Sequence, residues 1–264
     1  MMRKIGLLIC AIILFASGGI AHAENAQSVM KRLYEVYQGL TSFTQNSNDN
    51  DTFRAGKYHM TVGTTVLLRY RKPNDLYLSI TGPRIGTVVA TNHGGREMQY
   101  VSNLNKYRLM PEAPSAAIFI ETLRPLGIIS IMDSLYYIAG KSLNQTADHL
   151  KYKGKVKLNG KLCYLMSATV KPNQIPPNTK ATVEFWVDSQ NFLLKKIRWD
   201  VTGVTRIVPY IKVVKKKRVL ERKKVTGTET MTEYIVSSSI NPSMTDSDFK
   251  YTLPSDAIEQ RPIR

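Results

Sequence analysis

Alternating apolar and polar residues between positions 66 and 111 constrain the fold of this chain most strongly. Leu76, Leu78 and Ile80 are separated by more polar residues, and Met98 and Tyr100 follow the same rule. Residues that recur with a period of two lie on one face of a β-strand. The stretch therefore predicts a ladder of short antiparallel strands with one apolar face. Turn-forming Gly, Pro and Asn residues mark its breaks, at 72–75, 82–83, 92–95 and 103–105.

The first 23 residues form a segment of a different kind. Arg3 and Lys4 precede an almost wholly apolar run over residues 5–20, and the segment ends in Ala21-His22-Ala23. A basic start, an apolar centre and a small-residue site predict a secretory signal peptide that is cleaved before Glu24. A retained membrane anchor is the alternative, but the run is short for a bilayer span and is interrupted by Ser and Gly. We therefore expect residues 24–264 to form one domain in the periplasm.

The charge balance indicates an anionic partner. After removal of Arg3 and Lys4 the chain keeps 35 basic and 20 acidic residues, a formal charge of +15. Such a surplus favours a membrane surface, lipopolysaccharide or an acidic protein. Secretion makes nucleic acid the least expected of the anionic partners, so none is predicted.

The cysteine and histidine content gives little support for catalysis. Cys163 would be the last cysteine after cleavage, so no internal disulfide can form. Its alternation with apolar neighbours indicates a packed thiol. His59, His93 and His149 do not lie at metal-ligand spacing. We find no nucleophile elbow, dinucleotide fingerprint or P-loop, and we predict no enzyme activity, metal or cofactor.

Segments around the ladder complete the expected fold. An apolar stripe from Val29 to Leu40 predicts an amphipathic helix that packs on the core, with membrane binding as the alternative. The polar residues 46–51 indicate a loop or hairpin end. Residues 113–139 are the most apolar part of the mature chain, and Pro125-Leu126-Gly127 breaks them into two short helices.

Further strands follow from about residue 150. Asn159-Gly160 predicts a tight hairpin, and strands near 207–214 and 228–236 flank a basic turn. The count reaches ten or eleven strands. A sheet of that size tends to curl or close, so we expect a mainly β fold: a large curved antiparallel sheet around a helical plug or lid.

Several short patterns resemble the LolA/LolB-type periplasmic lipoprotein carriers and the wider outer-membrane lipoprotein-sorting-like group. They span most of the mature chain and comprise an N-terminal helix leading into Ser42-Phe43-Thr44-Gln45, the strand start Tyr70-Arg71-Lys72-Pro73-Asn74, residues 89–111 with Gly94-Gly95, the strand Phe185-Trp186-Val187-Asp188, and the ending Asp248-Phe249-Lys250-Tyr251-Thr252-Leu253-Pro254. The resemblance implies an incomplete β-barrel, lidded by helices, whose apolar inner face holds lipoprotein acyl chains.

The resemblance assigns expected roles to residues of this chain. Arg71 and Lys72 would lie at the rim, as a latch or as a headgroup contact. Ile118, Phe119, Leu123, Ile128 and Ile131 would form the lid or plug. The ligand cavity would be lined by Leu76, Leu78, Ile80, Val88, Met98, Tyr100, Phe185, Ile197 and Trp199. Plain core packing is the alternative for all of these apolar residues.

A cluster of basic residues lies within residues 212–224. A solvated hairpin tip is one interpretation, and contact with an anionic membrane surface is the other, at about 1 kcal/mol for each basic residue near the lipid. The cluster consists of Lys212, Lys215, Lys216, Lys217, Arg218, Arg222, Lys223 and Lys224.

The leading hypothesis is a monomeric, non-enzymatic carrier of lipid or lipoprotein acyl chains. The first alternative is an envelope-stress regulatory module on the same fold, with an inner- or outer-membrane protein as its partner. The second is an envelope hydrolase that depends on one of the histidines.

Overall fold

A computed structural model describes residues 25–123, 133–141, 147–172, 175, 177–214 and 217–260. Its helices are α1 (Ala26–Gly39), α2 (Ala116–Leu123) and α3 (Asp133–Ile138). Its strands are β1 (Ser42–Ala55), β2 (Tyr58–Arg71), β3 (Asp75–Gly82), β4 (Gly86–His93), β5 (Arg96–Val101), β6 (Lys106–Pro111), β7 (Ala147–Leu158), β8 (Lys161–Val170), β9 (Lys180–Asp188), β10 (Leu194–Val214), β11 (Lys217–Ile240) and β12 (Ile258–Glu259). The expected mainly β fold is confirmed.

These strands form one open sheet in the order β12-β6-β5-β4-β3-β2-β1-β11-β10-β9-β8-β7. Two antiparallel meanders, β1–β6 and β7–β11, meet where β1 pairs with β11 in the middle of the sheet. The short β12 is the exception in direction, since it pairs with β6 in parallel. The sheet does not close into a barrel, because β12 and β7 lie at opposite ends of its order.

Helix α1 confirms the stripe predicted near the N-terminus. Asn25 caps it, with its Oδ1 accepting a hydrogen bond from the Ser28 backbone N–H at 2.8 Å. The buried side of the helix includes Val29, Leu33 and Tyr37, which belong to the main core. The apolar stripe therefore packs on the domain itself.

The two short helices predicted between residues 113 and 139 are present as α2 and α3. Both contribute to the main core, through Phe119, Ile120 and Leu123 from α2 and through Leu135 and Tyr137 from α3. The predicted break at Pro125–Gly127 lies outside the described residues. No described helix has both the length and the apolar character needed to cross a bilayer.

The sheet has an inner face, which packs against the helices, and an outer face. Phe43, Leu68, Leu78, Phe185 and Ile197 represent the strands in the main core on the inner face. A second, smaller cluster on the outer face consists of Val89, Met98 and Tyr100 packed against Tyr77, Tyr107, Leu109, Tyr251, Leu253 and Ala257. The C-terminal segment thus covers part of the outer face.

The predicted loop at residues 46–51 is wrong, because these residues lie inside β1. Gln45, Ser47 and Asp49 alternate with exposed neighbours and are 3%, 2% and 8% exposed, so the inner face of this strand is polar. The apolar alternation that marks a strand in a sequence is therefore missing here. The turn lies further on, at Gly56, whose φ of +57° suits glycine.

The predicted basic turn is also wrong in its extent. β10 and β11 are continuous through most of the basic cluster, and their ladder reaches Val214 opposite Lys217. Residues 217–224 are therefore strand, and residues 215–216 lie outside the described residues. The hairpin predicted at Asn159-Gly160 is confirmed, with φ values of 49° and 79° as a type I′ turn requires.

Candidate functional site

Most of the residues predicted to line a cavity lie together on the inner face. Leu76, Leu78, Ile80, Phe185 and Ile197 are each 0–1% exposed and belong to the main core. Val88 and Trp199 are partly buried and pack against that core. From the proposed lid, Phe119 and Leu123 of α2 are buried in the same cluster. A role of these residues in ligand binding stays a prediction.

The structure does not bring Met98 and Tyr100 to the inner face. The sheet register places Met98 opposite Thr91 and Tyr100 opposite Val89, on the outer face with the second cluster. The inner positions of β5 carry Glu97 and Gln99 instead, so the expectation that Met98 and Tyr100 share the inner lining is corrected. Ile118 is 47% exposed and points away from the core, and Ile128 and Ile131 lie outside the described residues.

A buried polar contact fastens the end of α2 to the sheet. The Thr122 hydroxyl donates to Glu97 Oε1 at 2.5 Å, and Gln99 Nε2 donates to the same oxygen at 2.7 Å. Arg108 Nη2 donates to Gln99 Oε1 at 2.9 Å. Glu97 is 1% exposed, and burial raises its pKa against the lowering effect of the Thr122 and Gln99 hydrogen bonds.

Asn92 fastens the segment that leads into α2. This side chain is fully buried, and its amide donates to the backbone carbonyls of Asn74 at 2.9 Å and Ala113 at 3.0 Å. Its Oδ1 accepts a hydrogen bond from the Ala113 backbone N–H at 2.7 Å. Asn92 thus holds the segment before α2, and Thr122 holds the last turn of α2. Neither role is visible in the sequence pattern.

Helix α3 is fastened through Ser134, which is fully buried. The Ser134 hydroxyl donates to Gln45 Oε1 at 2.6 Å and lies 3.1 Å from the Tyr37 hydroxyl of α1. Gln45 Nε2 in turn donates to Glu233 Oε1 of β11 at 2.7 Å. A chain of polar contacts therefore ties α1 and α3 to the polar part of the inner face.

The carboxyl group of Asp51, which has an altered pKa, lies further along the polar inner face of β1. Burial, and then the neighbouring Glu229, raise the pKa of Asp51 to about 7, and Arg206 opposes the shift. Arg206 pairs with Glu229 and lies 3.8 Å from Asp51 Oδ2. In the folded state, therefore, Asp51 takes up a proton near neutral pH.

We expect Asp51→Asn to stabilise the protein above pH 7. The folded carboxyl has the higher pKa, so between about pH 4 and pH 7 the folded state binds the proton more tightly and the free energy of unfolding falls as the pH rises. Since 35% of the Asp51 side chain is exposed, solvent screening reduces the expected gain to about 1–2 kcal/mol at pH 8. Urea unfolding at pH 4 and pH 8 measures it. Equal differences between variant and wild type at the two pH values would contradict the assignment.

The rim residues contact elements other than α2 and α3. Arg71 donates to Asp75 Oδ2 at 2.8 Å and to Asp246 Oδ1 at 2.7 Å, and its guanidinium lies 4.9 Å from the ring centroid of Phe249. Lys72 Nζ donates to the backbone carbonyl of Gln38 at 3.0 Å, near the end of α1. Arg71 thus contacts the C-terminal segment, and Lys72 contacts the C-terminal end of α1. Their role as a latch or as a headgroup contact stays a prediction. Hydrogen bonds to both aspartates raise the pKa of Arg71.

The basic cluster lies on the long β10–β11 hairpin. Arg222, Lys223 and Lys224 are exposed. Lys212 occupies a position in β10, and Lys217 and Arg218 occupy positions in β11. Lys215 and Lys216 lie outside the described residues.

The outer face carries a polar groove of about 440 Å³ across β7–β10. Its lining mixes cations, anions and hydroxyls, and two of its ion pairs are Lys153 with Glu184 at 2.6 Å and Arg198 with Asp200 at 2.9 Å. Within the described ranges, no group of three or more His, Cys, Asp or Glu side chains is arranged to hold a metal ion. Cys163 is fully buried, and burial together with Asp188 raises the pKa of its thiol.

Comparisons with known proteins find similarity of overall fold. No family model matches the sequence, and no curated protein matches it. A LolA superfamily protein from Nitrosomonas europaea is 13% identical, with 87% of this chain and 99% of that chain covered and a TM-score of 0.33. The lipoprotein LppX of Mycobacterium tuberculosis is 10% identical, with 82% and 98% covered and a TM-score of 0.42. A putative outer-membrane lipoprotein-sorting domain of Vibrio parahaemolyticus is 10% identical, with 85% and 97% covered and a TM-score of 0.36.

Proposed function

We propose that this protein binds the acyl chains of lipids or lipoproteins between the inner face of its sheet and its helices, and carries them in the periplasm. The observation that supports this most is how the inner face is covered. Its buried apolar side chains form one core with residues of α1, α2 and α3. Within this cover, Asn92 holds the segment before α2 and Thr122 holds the last turn of α2. A helix held in this way can move off the sheet without breaking any strand pairing.

The energy gained by burying an acyl chain exceeds the energy lost by moving α2 away, which favours hydrocarbon as the ligand. Moving α2 away exposes Phe119, Ile120 and Leu123, which costs roughly 5–9 kcal/mol at 1.5–3 kcal/mol for each side chain. An acyl chain gains about 0.8 kcal/mol for each methylene it buries, so a chain of about 16 carbons recovers roughly 12 kcal/mol.

Ligand content tests this proposal directly. We expect native mass spectrometry of protein purified from the periplasm to show bound lipid, and delipidated protein to take up a fluorescent fatty acid. Lipid-free protein that takes up no fatty acid would overturn the proposal.

We further expect Thr122→Val to speed up fatty-acid uptake. The substitution keeps the shape of the side chain but removes the hydrogen bond to the buried Glu97 carboxyl, so lifting α2 becomes easier by about 1–1.5 kcal/mol. Stopped-flow fluorescence should show about a fivefold to tenfold faster uptake. Thr52→Val is a matched control, because Thr52 bonds another hydroxyl at an exposed position on β1. An unchanged rate for Thr122→Val would show that α2 is not the moving part.

A second candidate is a regulatory module that binds an envelope protein. The open end of the sheet favours it, since among the described strands β7 pairs with β8 on one side and with none on the other. Its free backbone groups could accept a strand from a partner. Crosslinking and affinity purification from intact cells distinguishes the two: a stable protein complex without bound lipid supports the module.

A further inference from the structure

β10 and β11 continue past the ends of their neighbours β9 and β1 as a two-stranded ribbon. The last partner of β9 along β10 is Thr202, and the last partner of β1 along β11 is Thr228. We call residues 204–214 and 217–227 the ribbon. Among the described residues its two strands pair only with each other. At about 3.3 Å per residue, the ribbon reaches on the order of 30 Å past its neighbours.

One side of the ribbon places an apolar row beside a basic row. Ile207 and Pro209 of β10 are exposed, and Ile207 remains 63% exposed. The register sets Ile207 opposite Lys224 and Pro209 opposite Arg222, and both cations are exposed. The two rows therefore lie next to each other along the ribbon and face the same side.

The same pairing continues along the backbone ladder towards the tip. The register sets Val213 opposite Arg218, and Ile211 opposite Leu220. The sequence of the ribbon contains seven basic residues and one acidic residue, Glu221. The strand sequence thus repeats apolar residues at every second position of β10 and cations at most of the facing positions of β11.

A solvated hairpin explains the charges but not the apolar row. Lysines on an edge strand prevent unwanted pairing, and a β-branched isoleucine favours the strand conformation. In a purely solvated ribbon, however, Ile207 stays 63% exposed and gains no energy from burial. A partner that offers anionic groups next to hydrocarbon satisfies both rows. The interface of an anionic bilayer is such a partner, since its phosphates lie directly above its acyl chains.

We propose that the ribbon is a membrane-docking element. It lays Ile207 and Pro209 into the interface of an anionic bilayer while Arg222 and Lys224 contact the lipid phosphates. The inference does not rest on acyl-chain binding inside the domain, because the ribbon contributes none of the residues assigned to that site. It adds a surface by which the protein meets its membrane.

Vesicle co-sedimentation of the full chain tests each row separately. The probes are phosphatidylcholine vesicles with and without phosphatidylglycerol. We expect binding only to the anionic vesicles, about fivefold weaker for each charge removed in Arg222→Gln/Lys224→Gln, and about fivefold weaker in Ile207→Ser. Raising the salt concentration should weaken wild type and Ile207→Ser in parallel, because both keep the same charges.

Matched controls lie elsewhere on the surface. Ile258→Ser alters an isoleucine that is 58% exposed, and Lys157→Gln/Lys180→Gln removes two exposed cations from β7 and β9. We expect these variants to bind within about twofold of wild type, because neither site belongs to the ribbon. A thermal unfolding midpoint equal to that of wild type verifies that each variant is folded.

Three results would overturn the inference. They are unchanged binding of Ile207→Ser, an equal loss in the matched controls, and a vesicle-free dimer that Ile207→Ser dissociates, since the last would make the ribbon a contact between two copies. Fatty-acid uptake is measured on the same variants and should stay at the wild-type level. Vesicle binding without fatty-acid uptake would keep the docking element and overturn the carrier proposal.

Discussion

Asn92→Ala is expected to lower the free energy of unfolding by about 3–4 kcal/mol. The substitution removes three hydrogen bonds at a fully buried position. It leaves the Ala113 N–H and the carbonyls of Ala113 and Asn74 without this partner, and each unsatisfied buried group costs about 1–3 kcal/mol. Because these bonds hold the segment before α2, cleavage near residues 112–116 should also accelerate. Urea unfolding and limited proteolysis measure the two effects.

A surface asparagine provides the control for this prediction. Asn103 donates to the backbone carbonyl of Arg84 at 3.0 Å from an exposed position, so Asn103→Ala should change stability by about 0.5 kcal/mol or less. Asn92→Asp keeps the acceptor for Ala113 and loses both donors, and should lie at least as low in stability as the alanine variant. Similar losses for Asn92→Ala and Asn103→Ala would show that Asn92 does not anchor this segment.

Gly227→Ala is expected to cost about 3 kcal/mol or more. A Cβ atom at this position would overlap the backbone carbonyl of Arg54 and lie 2.7 Å from the Ala55 side chain. Backbone atoms cannot move aside as the end of a flexible side chain does, so either the end of β1 or the root of the ribbon must shift. Hydrogen exchange should show the lost protection first in β1 near residue 54 and in β11 near residue 227.

Gly63→Ala is the matched control within the same sheet. A Cβ there would lie 3.4 Å from Asn50 Oδ1, an ordinary contact. Alanine restricts the unfolded chain more than glycine does, so the variant should be neutral or stabilised by about 0.5 kcal/mol. If both glycine variants were equally stable, close packing at the ribbon root would be refuted.

Sequence patterns predicted the parts of this fold in which local chemistry and tertiary environment agree. The alternation of Leu76, Leu78 and Ile80 predicts β3 because the inner face there is wholly apolar. Asn159-Gly160 predicts its hairpin because both residues adopt a positive φ at low cost. In these places a few neighbouring residues carry the whole signal.

The predictions that failed have the opposite cause. At those positions, contacts with residues distant in sequence decide the local structure and the face that is buried. Gln45 occupies a buried strand position because it meets Ser134 and Glu233, which are 89 and 188 residues away. Met98 and Tyr100 do alternate as expected, but alternation does not reveal which face of a sheet is covered. The outer face is covered there by Tyr251 and Leu253 from the C-terminal segment.

The residues of the candidate site also divide into those that the sequence predicts and those that it does not. The buried apolar residues of the inner face are predictable because burial requires apolar side chains, whereas the hydrogen bonds that hold α2 are not. Glu97, Gln99 and Asn92 are ordinary polar residues in the sequence, and their role arises only when β4 and β5 lie beneath residues 113–122. The Thr122→Val and Asn92→Ala variants therefore probe the features that required a structure.

The pairing of β1 with β11 has a consequence for biogenesis. The two strands meet across 174 to 197 residues of chain, from the pair Arg54–Thr228 to the pair Phe43–Ile240. A polypeptide that emerges from its N-terminus can complete the β1–β6 half early, but one side of β1 stays unpaired until the last quarter of the chain arrives. Contacts so distant in sequence form slowly, and an unpaired edge attracts other chains. Synthesis must therefore protect the nascent half-sheet, and truncation before residue 217 should yield aggregates rather than a smaller soluble protein.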